Sequence, residues 1–292
     1  MADTLPETVR MMCEVCSAPM IPLFSKKEYR YVRCGACGFV CIAPVPDPRS
    51  VYGKDYFLGA EHGYGYVDYD EDKAAMKPVF ERCLAMVEEV RPIRGKLLDV
   101  GAANGYFVGV ANARGWDAEG IEISSYAAEE GRRRGLAIQT GTLEDISFPD
   151  GTFDAVTMFD VLEHIPHPVS AVRAVTRMLR PGGALLINTP DTGSLVARMF
   201  GKRWHLYVPP EHLALFNAEN LTKLLWSEGF EVLRVRHLGK TFTVRYIIDT
   251  LGRQVCIPVA SRVLGSLGRS RLGDLRVPLN LGDNMLLVAR KL

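Results

Sequence analysis

The sequence lacks a surplus of charge of either sign. Its 292 residues carry 35 lysines and arginines against 34 acids, a formal net charge of +1, so composition supplies no general pull toward nucleic acid or an anionic membrane. It has no apolar run long and uncharged enough to span a bilayer, and no basic segment followed by an apolar stretch at its start. A soluble cytoplasmic protein with no nucleic-acid partner is therefore expected. Two nucleotide signatures are missing as well. No Gly-x-Gly-x-x-Gly opens a helix after a strand, as a dinucleotide pyrophosphate would require, and no Lys-Ser or Lys-Thr pair closes a phosphate-binding loop. The hydrophobic fraction of 48% is nevertheless ample for a full core, in one large domain or two.

The seven cysteines are unevenly spread. Four form two close pairs, Cys13 with Cys16 in "CEVC" and Cys34 with Cys37 in "CGAC". That spacing suits a tetrahedral thiolate site for a structural Zn2+, which four thiolates would fill completely. The alternatives are a redox dithiol or unrelated buried thiols. Pro19, Pro22, Gly35 and Gly38 around the pairs favour metal knuckles over a dithiol at a helix start. Cys41, Cys83 and Cys256 read as small buried hydrophobes. The three prolines of "APVPDPRS" then mark a stiff boundary, giving a zinc-binding module and linker over 1–48. A tyrosine-rich stretch over 49–76 follows, either an arm closing on a site or a locally packed loop.

From 77 to 292 the pattern alternates between helix and strand. "KLLDV", "DAEGIEI", "LAIQT", "TFDAVTMF" and "GGALLINT" read as strands, separated by helical segments for which Ser124 is an N-cap and Pro168 a first-turn proline. "AENLTKLLWSEG" reads as a further helix, and "FEVLRVRHL" and "NMLLVAR" as two more strands. This predicts a doubly wound α/β fold with a seven-stranded, mostly parallel sheet. An insertion at about 240–283 has two apolar helical faces and six arginines. It reads as a helical lid, or as a face meeting a membrane surface or a lipid-linked substrate.

The stretch "LLDVGAANGYF" carries the ligand signal. A strand running into Gly101, Ala102, Ala103, Asn104 and Gly105 before a helix places a turn at the carboxyl edge of the sheet, where such folds bind ligands. Asp99 just ahead of the turn suits a cation better than a phosphate. Glu122, about 20 residues beyond the turn at the end of the next strand, stands where a carboxylate meets ribose hydroxyls. A nucleoside whose other end is positive fits both carboxylates. With "GIEIS", "GTLEDISFPDGTFDAVTMFDVLEHIPHP" and "MLRPGGALLINTP" in the same order, the region Leu97 to Thr189 resembles the class I S-adenosylmethionine-dependent methyltransferases.

The resemblance implies S-adenosylmethionine as cofactor. It implies that Asp99, Gly101 and Gly105, with Ala102 beside them, hold the methionine part, and that Glu122 holds the ribose diol with Ile123 adjoining. Thr142 and Leu143 would border the adenine, Asp160 would stand beside the sulfonium, and Tyr66 would reach in from the arm. Members of the family often have glycine where this chain has Ala103. The stretch "RWHLYVPPEHLALFNAENLTKLLWSEGF" resembles ubiquinone-biosynthesis and sugar- or polysaccharide-pathway methyltransferases, some of the latter with a four-cysteine module. His164, His205 and His212 are the candidate catalytic groups; each could instead be structural. The expected reaction is O-methylation of a sugar, nucleotide-sugar or related hydroxylated small molecule. The alternatives are C- or N-methylation of such a substrate, methylation of ribosomal RNA, and a binding module that kept the fold without activity.

Overall fold

The computed structural model describes residues 11–46, 69–237, 240–243 and 275–292. The N-terminal strands are β1 (Met20–Lys26), β2 (Tyr29–Cys34) and β3 (Val40–Ala43). Helix α1 (Tyr69–Val90) leads to β4 (Lys96–Val100), α2 (Tyr106–Ala113), β5 (Asp117–Glu122), α3 (Ser125–Arg133) and β6 (Ile138–Thr140). Then come β7 (Phe153–Phe159), α4 (Pro168–Met178), β8 (Leu179–Pro190), α5 (Leu195–Phe200), β9 (Ala214–Leu215) and α6 (Ala218–Ser227). The last strands are β10 (Phe230–His237), β11 (Lys240–Thr243), β12 (Arg276–Leu279) and β13 (Asn284–Lys291).

Seven strands form one sheet in the order β10-β13-β8-β7-β4-β5-β6. Neighbours from β8 to β6 are parallel, and β13 runs antiparallel to both β8 and β10. The expected doubly wound sheet is thus present, with every strand read from the sequence. Successive residues of β4 point to opposite faces, as the pleat requires. Leu98 and Val100 join the core with Val172, Val175 and Met178 of α4 and Leu221, Leu224 and Leu225 of α6. Leu97 faces the other way, with Cys83, Leu84 and Val87 of α1 and Phe107, Val108 and Ala111 of α2. Both faces are buried, which is why these strands read as nearly continuous apolar runs.

Local chemistry sets the helix ends. The Ser124 hydroxyl accepts the Ala127 N-H at 3.4 Å, and Pro168 occupies the first turn of α4. Asn217 and Asn220 cap α6 reciprocally, at 2.8 and 3.0 Å. The chain continues on to fresh strands on opposite sides of β4, first to β5 and then, after β6, to β7. That reversal opens a crevice at the carboxyl ends of β4 and β7.

Two features differ from the sequence expectation. Residues 69–76, taken as the end of the tyrosine-rich stretch, open α1. The N-terminal strands are not self-contained: β9, from the far side of the chain, completes a four-stranded sheet β1-β2-β3-β9 through Val40 opposite Leu215 and Cys41 opposite Ala214. Cys13, Cys34, Phe39 and Cys41 share the core that holds Leu98 and Met158. The tyrosine positions 52, 56, 64 and 66 lie outside the described residues, as do the helical faces expected between 244 and 274. The two ends of that insertion, β11 and β12, pair antiparallel. Among the described residues no helix is long and apolar enough to cross a membrane.

Candidate functional site

The glycine turn spends its own amides. The Gly101 and Ala102 N-H groups both donate to the Ile121 carbonyl, at 2.8 and 3.0 Å, and the Gly105 N-H donates to the Ala102 carbonyl at 2.8 Å. The Ala103 N-H donates to Glu122 Oε2 at 2.9 Å. A phosphate cradle needs such groups aimed outward. This turn therefore gives shape rather than an anion site. Its backbone is left-handed at Gly101 (φ +74°), Ala103 (+49°) and Gly105 (+78°). Glycine adopts that conformation freely, whereas Ala103 does so at about 1 to 2 kcal/mol. A Cβ on Gly101 would lie 2.3 Å from Val161 Cγ2, so the turn and the segment after β7 approach as closely as glycine permits.

Three carboxylates stand at the strand ends. Asp99, 3% exposed, accepts the Thr157 hydroxyl at 2.7 Å. Glu122 is also buried, and its second oxygen accepts the Ser124 N-H at 2.8 Å. Burial pushes the Glu122 carboxyl above its ordinary range, against the pull of those backbone donors. Asp160 follows β7 with φ +53° and accepts the Asn188 side-chain N-H at 2.7 Å. A non-glycine residue held left-handed is a strained position of the kind that gathers at functional sites.

Between these elements lies a cavity of about 390 Å³, within the range of small-molecule sites. Of the residues expected at a cofactor, Gly101, Ile123, Thr142 and Leu143 line it. Val161 and His164 close the side after β7, and Ala171 and Ala174 of α4 form a wall. Asp99, Ala102, Gly105, Glu122 and Asp160 are not among its lining residues. They belong to the strand ends and turn behind it, and Tyr66 lies outside the described residues. An apolar cavity with carboxylates behind its wall suits a ligand with an aromatic part, hydroxyl donors and a positive centre.

The three candidate histidines divide into a pair and a single. His164 ends a short 3-10 turn, Leu162–His164, and its ring lies 4.9 Å from that of His212 at an interplanar angle of 74°. Each Nδ1 meets a main-chain carbonyl, Glu211 at 2.9 Å for His164 and Leu206 at 2.6 Å for His212. His205 is not part of this pair. It stands 3.6 Å from the Asp283 carboxylate, which also accepts the Trp204 indole N-H at 3.1 Å. Sequence reasoning missed Glu163. It is 1% exposed, accepts the Thr189 hydroxyl at 2.8 Å, and its carbonyl accepts the Leu213 N-H at 2.7 Å. Its only signal in the sequence is an acid next to His164.

The four paired cysteines converge as their spacing predicts. Sγ of Cys13 and Cys37 are 3.6 Å apart, those of Cys16 and Cys34 are 3.3 Å apart, and all four sulfurs lie within 4.8 Å of one another. A tetrahedron with metal-sulfur bonds of about 2.3 Å has edges of about 3.8 Å, so a slight opening admits Zn2+. The Cys37 N-H donates to Cys34 Sγ at 3.4 Å. Cys41 and Cys83 are buried singly.

This architecture matches known proteins. A family model described as a methyltransferase domain matches residues 70–235, more than half of the chain. The protein belongs to this family, and its sheet is that of the class I S-adenosylmethionine-dependent methyltransferases. Over 101 residues it is 35% identical to the ubiquinone biosynthesis O-methyltransferase of Alkalilimnicola ehrlichii, covering 32% of this chain and 41% of that one. Over 136 residues it is 30% identical to the protein of the same name from Methylococcus capsulatus, covering 44% and 57%. The chain spans about half the length of these curated relatives. The structure of an S-adenosylmethionine dependent methyltransferase from Mesorhizobium loti shares the fold, with a TM-score of 0.50 at 18% identity over 74% of this chain and 98% of that one.

Proposed function

We propose that the chain transfers a methyl group from S-adenosylmethionine to a hydroxyl oxygen of a small molecule, a sugar, nucleotide-sugar or related metabolite. The observation that carries this is the apolar cavity at the carboxyl ends of β4, β5 and β7, backed by Asp99, Glu122 and Asp160. Bound there, the cofactor supplies an electrophilic methyl carbon on a cationic sulfur. Asp99 and Asp160 favour its positive groups over phosphate. Glu122 takes the ribose hydroxyls: a carboxylate has about four lone-pair sites, and two backbone N-H groups occupy two of them. Ile123, Thr142 and Leu143 flank the base, and Gly101 and Gly105 shape the turn against the methionine part, with Ala102 behind it. His164 and His212 face the acceptor side. Holding an oxygen in line with the methyl carbon can contribute effective molarities of about 10⁵ to 10⁸ M, which exceeds the factor of about 10² to 10⁴ from a general base.

Relatives named as O-methyltransferases support an oxygen acceptor, and the balanced charge argues against RNA. Cys13, Cys16, Cys34 and Cys37 hold a structural Zn2+ that fixes the N-terminal strands against the rest of the core. The test is incubation with methyl-labelled cofactor against nucleotide-sugar pools and total RNA in parallel. Label in the sugar fraction is expected; label in RNA alone overturns the small-molecule reading.

A further inference from the structure

At the carboxyl edge of the sheet, two buried amide oxygens have no hydrogen-bond partner among the described residues: Oδ1 of Asn188 on β8 and Oδ1 of Asn284 on β13. The two residues are 4% and 7% exposed. A buried amide oxygen left unpaired carries the full desolvation cost of that group, and native structures seldom leave one without a reason. The register brings the two together. Asn284 stands opposite Pro190 and Leu286 opposite Asn188, and opposed residues share a face. Both amides therefore extend the face on which Leu186 and Leu286 pack with residues of α1 and α2. As diagonal neighbours on paired strands they stand about 7 to 8 Å apart. Asn188 is two residues from the end of β8 and Asn284 opens β13. Beyond them lies the edge where ligands bind in such folds, not more sheet.

Neither amide is loosely held. A carboxylate only accepts, so the 2.7 Å bond from Asn188 Nδ2 to Asp160 fixes which atom is the oxygen and turns Oδ1 away from Asp160. The Asn188 carbonyl also accepts the Asp160 N-H at 2.8 Å. Next to Asn284, the Asp283 carbonyl accepts the Asp191 N-H at 2.9 Å and its carboxylate accepts the Trp204 indole N-H at 3.1 Å. The two oxygens are thus preorganised acceptors on strands, one and two places out from β7, the strand that leads into Asp160.

We infer that Asn188 and Asn284 form a binding subsite for those hydroxyl groups of the methyl acceptor that do not react. The inference rests on the methyltransferase reading and sharpens it. With the cofactor's sulfonium beside Asp160, an acceptor reaching from there to β13 presents its reacting oxygen at one end and donates two further hydroxyls, one to each amide oxygen. A ring bearing several hydroxyls spans that gap. An acceptor with a single hydroxyl leaves the amide oxygens buried and unpaired. A site built to hydrogen-bond a hydroxyl rejects the analogue that lacks it, so the subsite selects a polyol of the sugar class over a phenol or a monohydric alcohol.

The test uses the full chain and Asn284→Leu, because leucine keeps the branching at Cγ, has no polar atom and leaves the bond between Asn188 and Asp160 intact. A structural amide and a ligand-binding one give opposite signs. Leucine removes the desolvation cost of an oxygen that has no partner in the free chain, so the melting temperature should rise by about 2 to 4 °C. Calorimetry should find S-adenosylmethionine affinity within about twofold of wild type, whereas methyl transfer at limiting nucleotide-sugar pool should slow about tenfold or more. A lowered melting temperature overturns the subsite, because the amide then has a partner inside the chain or a fixed water. Transfer at the wild-type rate overturns it equally. Asn284→Val, suited to a strand, carries the transfer measurement if the leucine variant does not fold. Wild type that binds the cofactor but puts no label into the sugar pool overturns the small-molecule reading, and the subsite with it. Failure of wild type to bind the cofactor overturns the methyltransferase reading itself.

Discussion

Replacing Gly101 by alanine separates two costs that the turn imposes. The first is conformational: at φ +74° a Cβ costs about 1 to 2 kcal/mol. The second is steric, because that Cβ would lie 2.3 Å from Val161 Cγ2, and forcing a methyl into packed space costs about 1 to 3 kcal/mol. Gly101→Ala should therefore destabilise by about 2 to 5 kcal/mol. Because Gly101 and Val161 both line the cavity, the variant should also lose cofactor affinity. Val161→Ala removes the obstructing methyl without altering the backbone at 101. In the double variant the steric part should be relieved and the conformational part should stay. A double-mutant cycle from denaturant unfolding should thus give a favourable coupling of about 1 to 3 kcal/mol, with cofactor titration run on all four proteins. Additive effects within about 0.5 kcal/mol would refute the proposed contact, and a Gly101→Ala protein of wild-type stability and affinity would refute the whole account of the turn.

Three further outcomes follow from the same structure. Removing zinc with a strong chelator, or substituting Cys16→Ser, should lower the melting temperature on the order of 10 °C, and elemental analysis should find one zinc per untreated chain; a folded, metal-free wild type would contradict the assignment. Asp99→Asn and Glu122→Gln should each weaken S-adenosylmethionine binding by about tenfold or more, roughly 1.4 kcal/mol, with circular dichroism unchanged, and normal affinity in either variant would remove that residue from the site. Hydrogen bonds from Arg114 first, and from Arg94 and Trp116, hold the Glu88 carboxyl down at about 2. Because its pKa is depressed on folding, its stabilisation is present above the ordinary carboxylate range and is lost as pH falls from about 4.5 toward 2. The exposed parts of Arg94 and Arg114 are screened, which leaves a contribution of about 1 to 2 kcal/mol. Glu88→Gln should flatten the acid limb of the stability profile by that amount, and an unchanged limb would count against the ion pair.

What the sequence reveals about this protein is what each segment determines for itself. Strands buried on both faces announce themselves as apolar runs, a serine or proline marks a helix start, and the turn from Gly101 to Gly105 carries its left-handed positions in its composition, Ala103 excepted. Cysteine spacing likewise identifies four thiols that converge. It does not say where that set docks, because the partner strand is only Ala214 and Leu215, too short to show any period. Glu163 was illegible for the same kind of reason. An acid between a leucine and a histidine reads as an exposed turn residue, and its burial depends on Thr189 reaching it from β8 and on Leu213 bonding its carbonyl. Those contacts follow from β8 lying beside β7, with Phe159 opposite Asn188. The bond from Leu213 to Glu163 also brings the segment bearing His212 alongside His164. The proposed cofactor side of the site is thus built from contiguous motifs that sequence can read. The proposed acceptor side is assembled across the sheet, and its arrangement emerges only once the strands are in register.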